Sequence, residues 1–77
     1  MEYVYVANPF YKVVSNSPRS AAGLIYSDFK ITDNGNDTSN DCFEIECNGQ
    51  IYKCVGQTKK ILINDQTRYI KTIVSIS

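Results

Sequence analysis

Apolar and polar positions alternate along most of this chain, and the alternation breaks where turn-forming residues collect. Tyr3-Val4-Tyr5-Val6 and Phe10-Tyr11-Lys12-Val13-Val14 are β-branched and aromatic runs separated by Ala7-Asn8-Pro9. Pro9 has no ladder donor, so the pattern predicts two short strands joined by a turn or an edge kink. At Ser17 the period changes. Ser17 is placed to accept from first-turn amides, and Pro18 stands at the first helical position, where a missing N–H costs nothing. Ala22, Ile25, Tyr26 and Phe29 then recur at helical spacing, with Ala21 beside them, which predicts one amphipathic helix over about 18–29. Gly23 weakens it by roughly 1 kcal/mol relative to Ala, so its stability must come from packing.

Residues 32–41, TDNGNDTSND, contain no large apolar side chain and predict a flexible polar loop. Counting Asp33 as the first position of a calcium loop brings Asp37, Ser39, Asp41 and Glu44 to later ligand positions. Gly35 offers no side-chain oxygen, however, and Thr38 stands where that loop needs glycine. The next segment, Cys42 to Val55, is the clearest signal in the chain, because Asn48-Gly49 between alternating runs specifies a tight hairpin. In that register Cys47 faces Gln50, Ile45 faces Tyr52, Phe43 faces Cys54 and Glu44 faces Lys53. Gly56 suits a bulge or bend. Beyond it, Lys59 to Ile63 and Arg68 to Ile76 read as strands across the polar turn Asn64-Asp65-Gln66-Thr67. In the last strand Ile70, Val74 and Ile76 are expected on one face, with Tyr69 and Ile73 on the other. A bare outer face there would need a partner chain.

The predicted order is β-β-α-β-β-β, an α+β fold dominated by antiparallel strands, curled into a pseudo-barrel or open curl with one helix. At 77 residues, the chain supports one small domain, 1–77, that buries only roughly 60% of the surface its unfolded form exposes. Help from partner chains is expected.

Composition narrows the chemistry. Eight basic and eight acidic residues give zero net charge, which removes the long-range attraction a dedicated polyanion binder would use. The chain has no His, so the side chain that titrates near neutrality unaided is missing from it. Three Cys make an odd count. The hairpin register puts Cys47 and Cys54 about 13 Å apart on one face and turns Cys42 to the other, so no intramolecular disulfide is expected. Their spacing, without His, does not make a zinc site. No phosphate loop, nucleophile elbow or carboxylate pair is present. The expectation is therefore a non-enzyme with no catalytic residue, cofactor, metal or small-molecule substrate.

Met1-Glu2 carries an acid where a secretory signal is basic, and no long apolar stretch follows. Membrane insertion and secretion are not expected, and Asn36-Asp37-Thr38 is read as a chance sequon. The expected location is a reducing intracellular compartment, host cytoplasm or virion.

The zero net charge is a sum over unlike halves. Acids concentrate in residues 28–46, whereas Lys53, Lys59, Lys60, Arg68 and Lys71 cluster after them. Lys59, Lys60, Arg68 and Lys71, with Arg19, are the candidate nucleic-acid contacts. Tyr69, Ile73, Tyr3 and Tyr5 are the candidate protein interface.

Pro18, Arg19, Ala21 and Ala22, preceded by a strand pair and followed by a polar loop and further strands, resemble the Pro-Arg-x-Ala-Ala helix start of the small chromosomal proteins of methanogenic archaea, with relatives in large DNA viruses. Thr58-Lys59-Lys60 adds to the likeness. The resemblance implies a compact β-rich pseudo-barrel with one helix. It also implies DNA binding and bending through a basic surface and a tryptophan, both missing from this chain. The expected function is accordingly a non-enzymatic protein-interaction or structural module, such as a minor virion (capsid) or assembly component of a large DNA virus. The alternatives are an architectural nucleic-acid-binding protein and a small viral inhibitor of a host protein.

Overall fold

The computed structural model describes residues 1–31 and 35–77. Its elements follow the predicted order: β1 (Glu2–Tyr5), β2 (Lys12–Val14), α1 (Pro18–Ser27), β3 (Thr38–Cys47), β4 (Gln50–Ile63) and β5 (Gln66–Ile76). The five strands form one sheet in the order β2-β1-β3-β4-β5, antiparallel at every step. It curls into a half-barrel around α1.

The helix starts as its cap residues dictate. Ser17 is extended, its hydroxyl accepts from the Ser20 amide, and Pro18 opens the first turn. The helix stops at Ser27, two residues short of the expected end. Asp28 forms the C-cap, and the Lys71 ammonium donates to the carbonyls of Tyr26, Ser27 and Phe29, so the orphan acceptors of the last turn are filled from β5. Phe29, released from the helix, packs with Tyr5, Tyr26 and Phe43.

Of the predicted loop 32–41, residues 32–34 lie outside the described residues, together with the calcium-loop count from Asp33, and the last four residues are not loop. Thr38 to Asp41 are strand, paired with Lys59 to Gly56. The long β4 offers a continuous ladder here, and pairing outweighs the turn preference of Ser, Asn and Asp. Phe10 also departs from its expected strand. It sits in the β1–β2 connection, 96% exposed, where Asn8 donates to Tyr5 and Tyr11 donates to Asn8. The Asn48-Gly49 hairpin has the expected register throughout. Asn48 and Gly49 take φ of 52° and 83°, as a two-residue turn between twisted strands requires.

The second hairpin is tighter than predicted. Asn64 and Asp65 both adopt positive φ, so the turn has two residues, and Gln66 and Thr67 join the ladder opposite Ile63 and Leu62. The irregularity expected at Gly56 is present. Val55 pairs with Ser75 and Gly56 with Ile73, leaving Val74 as the extra residue of a bulge in β5. That bulge shifts the alternation, so Ile76 lies opposite Cys54 on the face of Ile73, while Ile70 and Val74 face outward.

The core lies between α1 and the concave face of the sheet: Tyr3, Ala21, Ala22, Ile25, Tyr26, Phe43, Ile45, Cys47 and Cys54. Tyr26 is its centre. The ring stacks on Phe43 at 5.8 Å and lies flat over Gly56, where an added Cβ would meet ring carbons at 2.6 Å. Its hydroxyl donates to the Asp41 carboxylate at 2.9 Å and receives the Thr58 hydroxyl at 2.7 Å. Burial raises the Tyr26 phenol above its ordinary value; the Thr58 bond opposes that shift and the Asp41 bond adds to it.

Candidate interaction surface

The helix is short, and the sheet is not. At about 3.3 Å per residue the 14 residues of β4 span roughly 45 Å, which matches the 44 Å long axis of the molecule. Strand β3 accompanies β4 as far as Lys59, and the Asp37 carbonyl accepts from Lys60 one residue further on. Beyond that point residues 61–63 of β4 and 66–68 of β5 continue as a two-stranded ribbon closed by Asn64 and Asp65, and this ribbon with the Lys59–Ile70 and Lys60–Tyr69 pairs at its base forms the arm. The radius of gyration, 13.4 Å, exceeds the roughly 11.5 Å of a compact chain of this length. The arm accounts for the difference.

It carries exposed apolar side chains on both faces, beside polar ones. Leu62 is 70% exposed on the concave side, with Tyr69 near it, while Ile63 and Ile70 are exposed on the convex side beside half-buried Ile61. Further along the convex face, Val74 and Ile51 are exposed as well. The run Ile61-Leu62-Ile63 was the signal for this surface. A continuous apolar run normally marks a strand covered on both sides, and here it leads into a bare turn.

The candidate interface residues divide. Tyr3 is a core residue, 2% exposed, because it faces α1 from β1; burial raises its phenol. Tyr5 is half-buried in the aromatic cluster, and Ile73 packs against the core from β5. Tyr69 alone of the four lies on the arm.

The candidate nucleic-acid contacts divide too. Arg19 donates from Nη1 to the Ile73 carbonyl at 2.7 Å. Lys71 caps the helix and lies 5.3 Å from the centroid of the Tyr26 ring. Both cations are committed to holding α1 on β5. Lys59 and Arg68 face outward on the convex side of the arm, Arg68 donating weakly to Gln66 at 3.4 Å, and half-buried Lys60 lies on the concave side. The five charges do not form one stripe.

Cys42, Cys47 and Cys54 carry free thiols. Burial pushes the Cys54 thiol up, which keeps it protonated and unreactive. Cys42 is exposed on the convex face, at a depression of about 640 Å³ that also meets Glu44 and Lys53. Among the described residues no group of three or more His, Cys, Asp or Glu is placed to hold a metal, and no helix is long and apolar enough to cross a membrane.

No protein family, curated protein or solved structure matches this chain.

Proposed function

We propose that the protein is a non-enzymatic interaction module that docks on another protein through the β4–β5 arm, in the manner of a structural or assembly component. The observation that carries this reading is the arm itself. Leu62 and Ile63 lie beyond the half-barrel on a two-stranded ribbon, with Ile70 exposed at its base, an arrangement that leaves apolar surface in water until a partner covers it. Aromatic side chains, which could otherwise stack on nucleic-acid bases, are mostly spent on the core, since Tyr5, Tyr26, Phe29 and Phe43 pack on one another.

Architectural nucleic-acid binding is less well supported. With Arg19 and Lys71 occupied, outward contacts fall mainly to Lys59 and Arg68. Two phosphate contacts give a salt slope of only about −1.8, far below that of a dedicated DNA-binding protein.

The test is native mass spectrometry of material isolated from the source, comparing the unaltered chain with Leu62→Ser/Ile63→Ser. Both substitutions lie on the surface, and each should change stability by no more than about 0.5 kcal/mol. The unaltered chain is expected with a protein partner at fixed stoichiometry, and the double variant alone. A bare monomer in both cases, or a nucleic-acid adduct, overturns the proposal.

A further inference from the structure

Building on the docking reading above, we infer that the free edge of β5, from Gln66 to Lys71, accepts an extended acidic segment of a partner protein as a sixth strand. The sheet order leaves two edge strands, β2 and β5, and because β1 pairs with β3 only at Ile45 and Glu46, Thr38 to Phe43 of β3 form a third unpaired stretch, one that carries Asp41 and so disfavours an acidic segment. β2 has three residues and β5 has eleven. Backbone parity shows which groups of β5 point outward. Ile63 and Gln66 flank a two-residue turn and so form a hydrogen-bonded pair; alternation then makes Leu62–Thr67, Lys60–Tyr69 and Thr58–Lys71 non-bonded pairs. Thr67, Tyr69 and Lys71 therefore direct their N–H and C=O groups away from β4. The same count puts the Ile73 carbonyl on the outer edge, and there the Arg19 guanidinium reaches it.

That contact also sets the limit of the site. Arg19 occupies the next edge acceptor, and the Val74 bulge follows, so an added strand ends at Lys71 or Thr72. Within Gln66–Lys71 there is no proline or bulge to blunt the edge, and Lys71 turns its charge to the helix terminus.

Charge selects the occupant. Between Lys59 and Ile70 the chain has three cations, Lys59, Lys60 and Arg68, and one acid, Asp65. A second copy pairing through β5 would bring a like-charged arm against this one, at a cost. A strand with an acid opposite Arg68 and an apolar residue opposite Ile70 meets both demands on the convex face, while Tyr69 offers an aromatic contact on the other.

The experiment titrates the full chain with a capped peptide of about eight residues carrying Glu at every fourth position and Val at the others, so that Glu and Val alternate along one face, and with the same peptide carrying Lys for Glu. Amide exchange is read by NMR. The Glu peptide is expected to protect the amides of Thr67, Tyr69 and Lys71 by at least about tenfold, and the Lys peptide to leave them unchanged. Tyr69→Pro removes one outward donor without touching the β4 ladder and abolishes that protection, whereas Tyr69→Val retains it. Thr67→Pro is the substitute if Tyr69→Pro fails to fold. Protection at β2, equal response to both peptides, or undiminished binding by the folded Pro variant overturns the inference. So does protection of these amides in the free chain through dimerisation, or by single-stranded DNA in place of the Glu peptide. The two proposals fail separately. Partner binding lost in Leu62→Ser/Ile63→Ser but kept in Tyr69→Pro leaves the arm as the docking surface and removes the edge.

Discussion

At Gly56 a hydrogen atom stands where every other residue would place a carbon 2.6 Å from the Tyr26 ring. The ring is wedged between this backbone and Phe43, and its hydroxyl is fixed by Asp41 and Thr58, so it has no slack to give. Gly56→Ala is therefore expected to cost about 2–3 kcal/mol in urea denaturation, and distinctly less in the Tyr26→Leu background, where the clash is relieved. The sequence identifies each partner separately. Tyr26 falls on the apolar stripe of the helix and Gly56 marks an irregular strand, but their contact depends on how α1 docks across the sheet, which no local pattern encodes. Tyr3 illustrates the same limit. Alternation puts it on one face of β1 without telling which face α1 covers, and the structure buries it.

Elements with their own turn chemistry were the most legible. Asn48-Gly49 specified the β3–β4 register pair by pair, since only a two-residue turn with positive φ fits between those runs. Asn64-Asp65 does the same work less audibly, because polar Gln66 and Thr67 widen the apparent turn until the ladder claims them. The helix start was equally plain in Ser17 and Pro18, and its end was not. No basic residue lies in the last turn of α1, and the cation that caps it arrives from β5. Lys71→Met is expected to lower stability by about 1 kcal/mol and to speed amide exchange in the last helical turn while leaving the first turn unchanged. Equal acceleration at both ends would point to general loosening of the core instead.

For the whole molecule, the half-barrel keeps two phenols, Tyr3 and Tyr26, neutral by burying them, and both are raised above 10.0. The unfolded chain gives up these protons first as pH rises, so the native state holds more of them, and stability declines once pH exceeds the unfolded value. Below that point their contribution is intact. Urea midpoints measured from pH about 8 to about 11 should be level and then fall, and Tyr26→Phe should start lower and fall less steeply. The arm shares little in this balance, since it projects past α1 and the core. Its geometry also bears on how such a chain changes over generations. The Val74 bulge separates the alternation of the arm from that of the last residues of β5, and the turn at Asn64-Asp65 closes an even ladder. Matched insertions of two codons in each strand would lengthen the arm and return every side chain to its face; a single codon would invert the faces beyond it or force a second bulge. Reach is thus inherited in discrete steps, and relatives of this protein are expected to differ in arm length by even numbers of residues per strand while the half-barrel stays the same size.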